Sequence, residues 1–183
     1  MTIGGLLLAA GAGRRYGMPK ALAVVPGDGE LMVRHALRTL RDGDCDPIVV
    51  VLGAGAGRAP ALPGAHVVIN KEWRTGMGSS LRAGLAALPP QVDAVVVLLV
   101  DTPGITAEAV RRVGAGAGPA TLRVATYGGD GGHPVLLGRD HWAGAAALAV
   151  GDVGARPYLA KHDVETVPCD DVSDGADLDV PHA

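Results

Sequence analysis

A chain of 183 residues has the length of one α/β domain and is short for two. Hydrophobic residues at 48 % and charged residues at 19 % exclude a disordered chain, and a net charge of −3 with no Lys/Arg run argues against a general nucleic-acid surface. The longest purely apolar run, residues 94–100, is far short of a membrane span. The apolar start of the chain has no basic residues before it, and Arg14 and Arg15 come after it, the reverse of a signal peptide. Cys45 and Cys169 are isolated, with no CxxC or metal-type spacing, and read as free thiols in a reducing compartment. A single cytoplasmic domain over residues 1–183 is expected, with neither membrane nor nucleic acid among its partners.

With no Phe, the core has to be built from Val, Leu, Ile and Ala. Residues 3–9 form an apolar run that predicts a buried parallel strand, followed by a Gly- and Arg-rich loop over 10–20. Residues 30–41 place Leu31, Val33, His35, Leu37 and Leu40 on one side and Arg34, Arg38 and Arg41 on the other, an amphipathic helix ended by Gly43. Strands follow over 47–52 and 65–69, with a Gly/Ala/Pro loop between them. A polar loop over 70–78 leads into a helix over 79–88 that Pro89-Pro90 stops. Residues 94–100 are the strongest strand pattern and end at Asp101; a helix over 106–113 has Thr106 as its N-cap. Short strands over 121–126 and 134–137 flank a Gly-rich turn, helices cover 139–150 and 153–161, and a last strand over 164–167 precedes an acidic tail.

This alternation predicts a three-layer, Rossmann-like α/β fold, a mostly parallel sheet with helices on both faces. Ligands of such sheets bind at the carboxyl ends of strands, which singles out the loops after Ala9, Ile69 and Val100. In the first of these, Gly11, Gly13 and Gly17 let backbone N–H groups approach an anion, and Arg15 and Lys20 add donors for phosphate oxygens. A plain glycine-rich turn with surface arginines explains the glycines equally well. A dinucleotide-binding turn does not fit, because three residues separate Gly13 from Gly17 and Pro19 interrupts the following helix; a P-loop pattern is absent. Asp101 before Thr-Pro would serve as a turn cap as readily as a ligand, and Asp177 and Asp179 would suit a solvated tail.

The segment Leu8-Ala9-Ala10-Gly11-Ala12-Gly13-Arg14-Arg15-Tyr16-Gly17-Met18-Pro19-Lys20 resembles the L-A-A-G-x-S-x-R-x-G-x-x-K signature of the MobA/MocA-like nucleotidyltransferases, and departs from it at Gly13, where Ser is frequent. These include the molybdenum-cofactor cytidylyl- and guanylyltransferases. Four further segments resemble the family in order: the W-x-x-G-M-x-x-S-L run from Trp73, Val100-Asp101-Thr102-Pro103, Gly132-His133-Pro134 with Gly151 to Arg156, and the late Asp177-Leu178-Asp179. The resemblance implies that Ala9, Ala10, Gly11, Ala12, Gly13, Gly17 and Lys20 bind the triphosphate, with Arg15, Lys20 and Asp101 catalytic. It implies that Ser79 and Ser80 lie at the base and ribose, that Asp101 and Asp179 hold Mg²⁺, and that His133 and Arg156 meet the acceptor. Val180 stands where the family's late motif has Thr. Family members with Ala-Ala-Gly at positions 9–11 tend to use CTP, and those with Ala-Gly-Gly tend to use GTP. The implied activity is transfer of a nucleotide, CMP favoured, from an NTP to a phosphorylated acceptor such as molybdopterin, with release of pyrophosphate and a molybdenum hydroxylase or its maturation factor as a partner. Guanylyl transfer, another phosphorylated acceptor, and a catalytically silent nucleotide-binding accessory protein are the alternatives. A nicotinamide-dependent dehydrogenase is disfavoured by the glycine spacing.

Overall fold

Valine- and leucine-rich runs are unable to satisfy their backbone groups alone, and here they do so side by side. The computed structural model describes residues 1–181. Along the chain lie β1 (Ile3–Ala9), α1 (Met32–Asp42), β2 (Ile48–Leu52), β3 (Ala65–Ile69), α2 (Met77–Ala87), β4 (Ala94–Leu99), α3 (Ala107–Gly114), β5 (Leu122–Tyr127), β6 (Asp130–Gly138), α4 (Arg139–Leu148), α5 (Arg156–Leu159) and β7 (Glu165–Pro168). The strands form one sheet in the order β3-β2-β1-β4-β6-β5-β7. β1 pairs in parallel with both β2 and β4, β2 in parallel with β3, and β5 in parallel with β7. β6 runs antiparallel to both β4 and β5. The reason is local: Gly128 and Gly129, both with positive φ, make the tight turn that folds β5 directly back into β6. That turn also makes β6 longer than the four residues expected from sequence, because pairing extends down to Asp130.

Alternate residues of the central strands face opposite layers. Leu7, Val50 and Leu98 pack with Met32, Leu37 and Leu40 of α1 and Val110 and Val113 of α3. Leu6, Leu8, Val51 and Val97 pack with Leu81 and Leu85 of α2, Trp142 of α4 and Tyr158 of α5. β1, β2 and β4 are therefore buried on both faces, which is why their sequences are continuous apolar runs and not alternating ones. Thr106 caps α3 as its position predicts, its hydroxyl accepting from the Ala109 amide at 3.2 Å. Among the described residues, no helix is long and apolar enough to cross a membrane.

The acidic end of the chain is not a solvated tail. After β7 it runs back across the sheet edge as a strap. The Cys169 amide donates to the Thr126 carbonyl at 3.0 Å, the Ser173 hydroxyl to Gly104 O at 2.9 Å, and the Leu178 amide to the Asp101 carbonyl at 2.7 Å. Leu178 is buried with the α1/α3 side of the core. An apolar side chain between two aspartates thus anchors both of them beside Asp101.

Candidate active site

β1 and β4 are adjacent and parallel, and the chain leaves β1 toward β2 and β4 toward β5, in opposite directions along the sheet, so a crevice opens between their carboxyl ends. Leu8 pairs with Leu99, and the Val100 amide donates to Leu8 O at 3.1 Å, which sets Ala10 beside Asp101. The crevice has a volume of ≈ 430 Å³, within the roughly 300–1,000 Å³ of small-ligand sites.

One wall is the loop after β1. Gly13 adopts φ +61°, and the Gly17 amide closes the turn on the Gly13 carbonyl at 2.8 Å. A Cβ at position 13 would lie 1.9 Å from Met18 O, so this loop has no room for the serine frequent there in the resembling signature. Ala10, Gly11, Ala12, Gly13, Arg14 and Lys20 all face the crevice. The other wall comes from β3, two strands away. It reaches β1 because Gly53 has no side chain: a Cβ there would stand 2.6 Å from Trp73 Cβ and 2.7 Å from Ala10 O. Asn70 ties this wall together, its amide donating to Ser79 Oγ at 2.8 Å and Ser80 Oγ at 3.0 Å while its oxygen accepts from the Glu72 amide at 2.9 Å. Asp152 closes it by accepting from the Met77 amide, the first of α2, at 3.2 Å.

The floor is charged. Lys20 Nζ lies 3.0 Å from Asp101 Oδ2 and 3.5 Å from Asp179 Oδ1. Asp101 Oδ1 is buried and has no hydrogen-bond partner among the described residues. A carboxylate oxygen without a partner is costly in a folded chain and rare. Asp179 shares Lys20 with Asp101, and two carboxylates on one ammonium offer oxygen donors of the kind hard divalent cations take. Loss of solvent raises the Asp177 carboxyl above its usual range, and the negative Asp101 and Asp179 push the same way against Lys20 and Arg156. Burial pushes the His133 imidazole down to about 4, with Asp101 opposing and Arg156 assisting. Six side chains from five distant segments thus share one electrostatic environment.

A glycine-lined anion cradle, a wall able to take a flat group and a carboxylate pair are the parts of a nucleotide-handling site. The model of the MobA-like NTP transferase domain matches residues 5–167. The chain belongs to this family. Its relatives in the MobA-like family differ in what their names record. It is 37 % identical over 188 residues to nicotine blue oxidoreductase of Paenarthrobacter nicotinovorans, covering 96 % of this chain and 91 % of that one. It is 30 % identical over 113 residues to a probable molybdenum cofactor guanylyltransferase of Mycobacterium ulcerans, covering 60 % of this chain and 54 % of the relative. A crystal structure of an Rv0371c homologue from Mycobacterium sp. strain JC1 superposes with a TM-score of 0.82 at 32 % identity, covering 97 % of this chain and 90 % of the other. Rv0371c of Mycobacterium tuberculosis H37Rv in complex with manganese superposes with a TM-score of 0.75 at 29 % identity, over 92 % of this chain and 88 % of the other.

The fold brings most of the MobA-like motif residues to one place and leaves some aside. Ala10, Gly11, Ala12, Gly13, Lys20, Ser80 and Asp101 line the crevice. Ala9 is buried as the last residue of β1, behind it. Arg15 and Gly17 are exposed and off the lining, while Arg14 is on it, because the turn at Gly13 swings successive side chains to opposite sides. Ser79 donates to Gly76 O at 2.9 Å, within its own loop, and does not line the crevice. His133 sits in β6 and Arg156 opens α5, beyond the lining but within electrostatic reach of the carboxylates. Trp73, Arg74, Thr75 and Asp152 line the crevice and were not singled out from sequence. Trp73 and Asp152 stand inside the segments that carry the resemblance, which is the signal that could have found them.

Two expectations arise from this geometry. Leu178→Ala should lower stability by about 2–3 kcal/mol for the lost core side chain and, in nucleotide titrations, weaken metal-dependent binding, because the strap that carries Asp179 loses its anchor. The second concerns pH. The folded His133 binds its proton less readily than the usual 6.5, down to about 4, so the unfolded chain takes up more protons across that window. Stability from this group is therefore complete above pH 6.5 and is lost as pH falls toward 4, by up to about 3 kcal/mol. Denaturant melts from pH 7 to 4 should show this slope, and His133→Gln should flatten it.

Proposed function

We propose that this site transfers a nucleotide from an NTP to a phosphorylated acceptor and releases pyrophosphate, with Mg²⁺ as its metal. The observation that carries this is Asp101 Oδ1, buried and without a partner among the described residues, on an aspartate that ends a glycine-lined crevice and shares Lys20 with Asp179. Asp101 and Asp179 would hold the metal, whose charge offsets that developing on the transferring phosphoryl group; the manganese bound by the 29 % identical Rv0371c supports a divalent ion here. The amides of residues 10–13, with Arg14 and Lys20, hold the triphosphate and stabilise the pyrophosphate as it leaves. Arg15, on the outer side of the same loop, adds positive charge from solvent. Ser80 and the Trp73–Thr75 turn hold the base and ribose. His133 and Arg156 orient the acceptor phosphate, whose oxygen attacks the α-phosphorus in line. That oxygen is already ionised, so the chain needs no general base; it contributes position and field.

Molybdopterin, or its metal-loaded form, is the acceptor the family points to. Ala9-Ala10-Gly11 favours CTP, and the guanylyltransferase relative favours GTP. Incubating the protein with molybdopterin, Mg²⁺ and γ-³²P-labelled CTP or GTP, and following labelled pyrophosphate, tests both. Release with CTP establishes the cytidylyl reading and release with GTP the guanylyl one; release with neither removes the molybdopterin transferase. The 37 % identity to nicotine blue oxidoreductase over nearly both chains supports a second reading, a reductase built on the same crevice. Oxidation of NADH or NADPH in the presence of nicotine blue, lost on blocking the crevice with nucleotide, would establish that reading instead.

A further inference from the structure

Lys20 touches both carboxylates at once, Asp101 Oδ2 at 3.0 Å and Asp179 Oδ1 at 3.5 Å. An ammonium between two carboxylates occupies the place of a bridging dication. It is an incomplete occupant, because Asp101 Oδ1 stays without a partner among the described residues. Mg²⁺ binds oxygens at roughly 2.0–2.1 Å, so an ion on those two oxygens and the Lys20 ammonium cannot stand there together. Lys20 also lines the same crevice as Gly11, Ala12 and Gly13. Its flexible four-carbon stem needs only side-chain rotation to turn from the carboxylates to an anion held by those amides.

We propose that Lys20 holds the metal's seat until a triphosphate draws it away, which makes divalent cation and nucleotide load together. This rests on the transferase reading for the identity of the anion. Each partner's arrival removes an obstacle to the other: phosphate oxygens take the ammonium, and the vacated carboxylates take the cation. By linkage the effect is reciprocal, and couplings of this kind are typically 5- to 150-fold. Lys20 therefore acts as a positioning residue for the metal in addition to contacting phosphate. Without it, the empty crevice would keep an open pair of carboxylates able to collect a cation in the absence of substrate.

The test is Mn²⁺ binding to the full chain without nucleotide, read by the electron paramagnetic resonance of free Mn²⁺. Lys20→Met should bind Mn²⁺ about tenfold more tightly than wild type, and Lys20→Gln should do the same if the first variant folds poorly. Arg156→Met makes the same charge change within electrostatic reach of Asp177, two residues from Asp179, and Arg156 has no ion pair with either seat carboxylate among the described residues. It should change Mn²⁺ affinity less than about threefold. Unchanged Mn²⁺ affinity in both Lys20 variants overturns the shared seat, and so does an equal gain in Arg156→Met, which would reduce the effect to net charge. Pyrophosphate release by wild type, measured in parallel, separates the two readings. Release with unaltered Mn²⁺ affinity in Lys20→Met removes only the shared seat. A tenfold gain without release with any NTP keeps the shared seat and removes the transferase.

Discussion

Asp101→Ala should reduce turnover by about 100- to 1,000-fold, the range that losing one preorganised electrostatic group produces, while barely changing stability. The two halves of that expectation come from the two carboxylate oxygens. Oδ2 pairs with Lys20, a contact with the side chains 23 % and 13 % exposed, and Lys20 keeps Asp179 at 3.5 Å when Asp101 is removed. Oδ1 makes no hydrogen bond in the fold, since it is buried without a partner among the described residues. Removing the side chain therefore takes away a partly screened ion pair and also relieves an unsatisfied polar atom. The net change should stay within about 1 kcal/mol, or 2–4 °C in melting temperature for a chain of this size. A residue kept for folding would show the opposite pattern. Thermal melts and pyrophosphate release on the same preparation check it, and a drop in melting temperature that accounts for the lost activity would assign Asp101 to the fold instead.

Gly13→Ser should weaken nucleotide binding by at least about tenfold with the fold intact. The resembling signature frequently has Ser at this position, so comparison of sequences would rate the change harmless. The loop in this chain does not permit it. Position 13 has φ +61°, and its Cβ would fall 1.9 Å from Met18 O, a backbone atom fixed by the turn that leads to Lys20. The substitution costs roughly 1–3 kcal/mol of backbone strain before the clash is counted. The loop will escape by moving its amides, and with them the proposed cradle for the triphosphate. Because residues 10–20 are a surface loop, the sheet beneath them is unaffected. Calorimetric titration with CTP and GTP, beside a circular dichroism spectrum, checks the prediction. Wild-type affinity in the variant would show that the loop tolerates a second conformation.

Much of the fold, and part of the candidate site, was legible in the sequence. Apolar runs of five to seven residues between glycine-rich turns dictate a buried parallel sheet, because such segments cannot satisfy their backbone groups except by pairing and cannot face water on either side. Thr106 before Ala107 and Pro89-Pro90 after Leu88 bound two helices by capping and by a missing N–H. The loop with Gly11, Gly13 and Lys20, and the Asp at the end of the strongest strand, were visible as departures from that regular pattern.

What the sequence could not decide depends on contacts between distant segments. That the end of the chain is a strap and not a free acidic tail follows from Leu178 finding a place in the core and its amide finding the Asp101 carbonyl, a pairing across 77 positions. That β6 is antiparallel follows from a tight two-glycine turn, whose handedness is a matter of dihedral angles. That Arg14, not Arg15, faces the crevice depends on the left-handed conformation of Gly13, which shifts every later side chain. And that Lys20 lies between Asp101 and Asp179 is a three-body arrangement of residues 81 and 159 positions away from it. Residue type determines which groups can do chemistry; which of them meet is decided by the chain closing on itself, since a few kcal/mol of core burial at one point sets the position of charges at another.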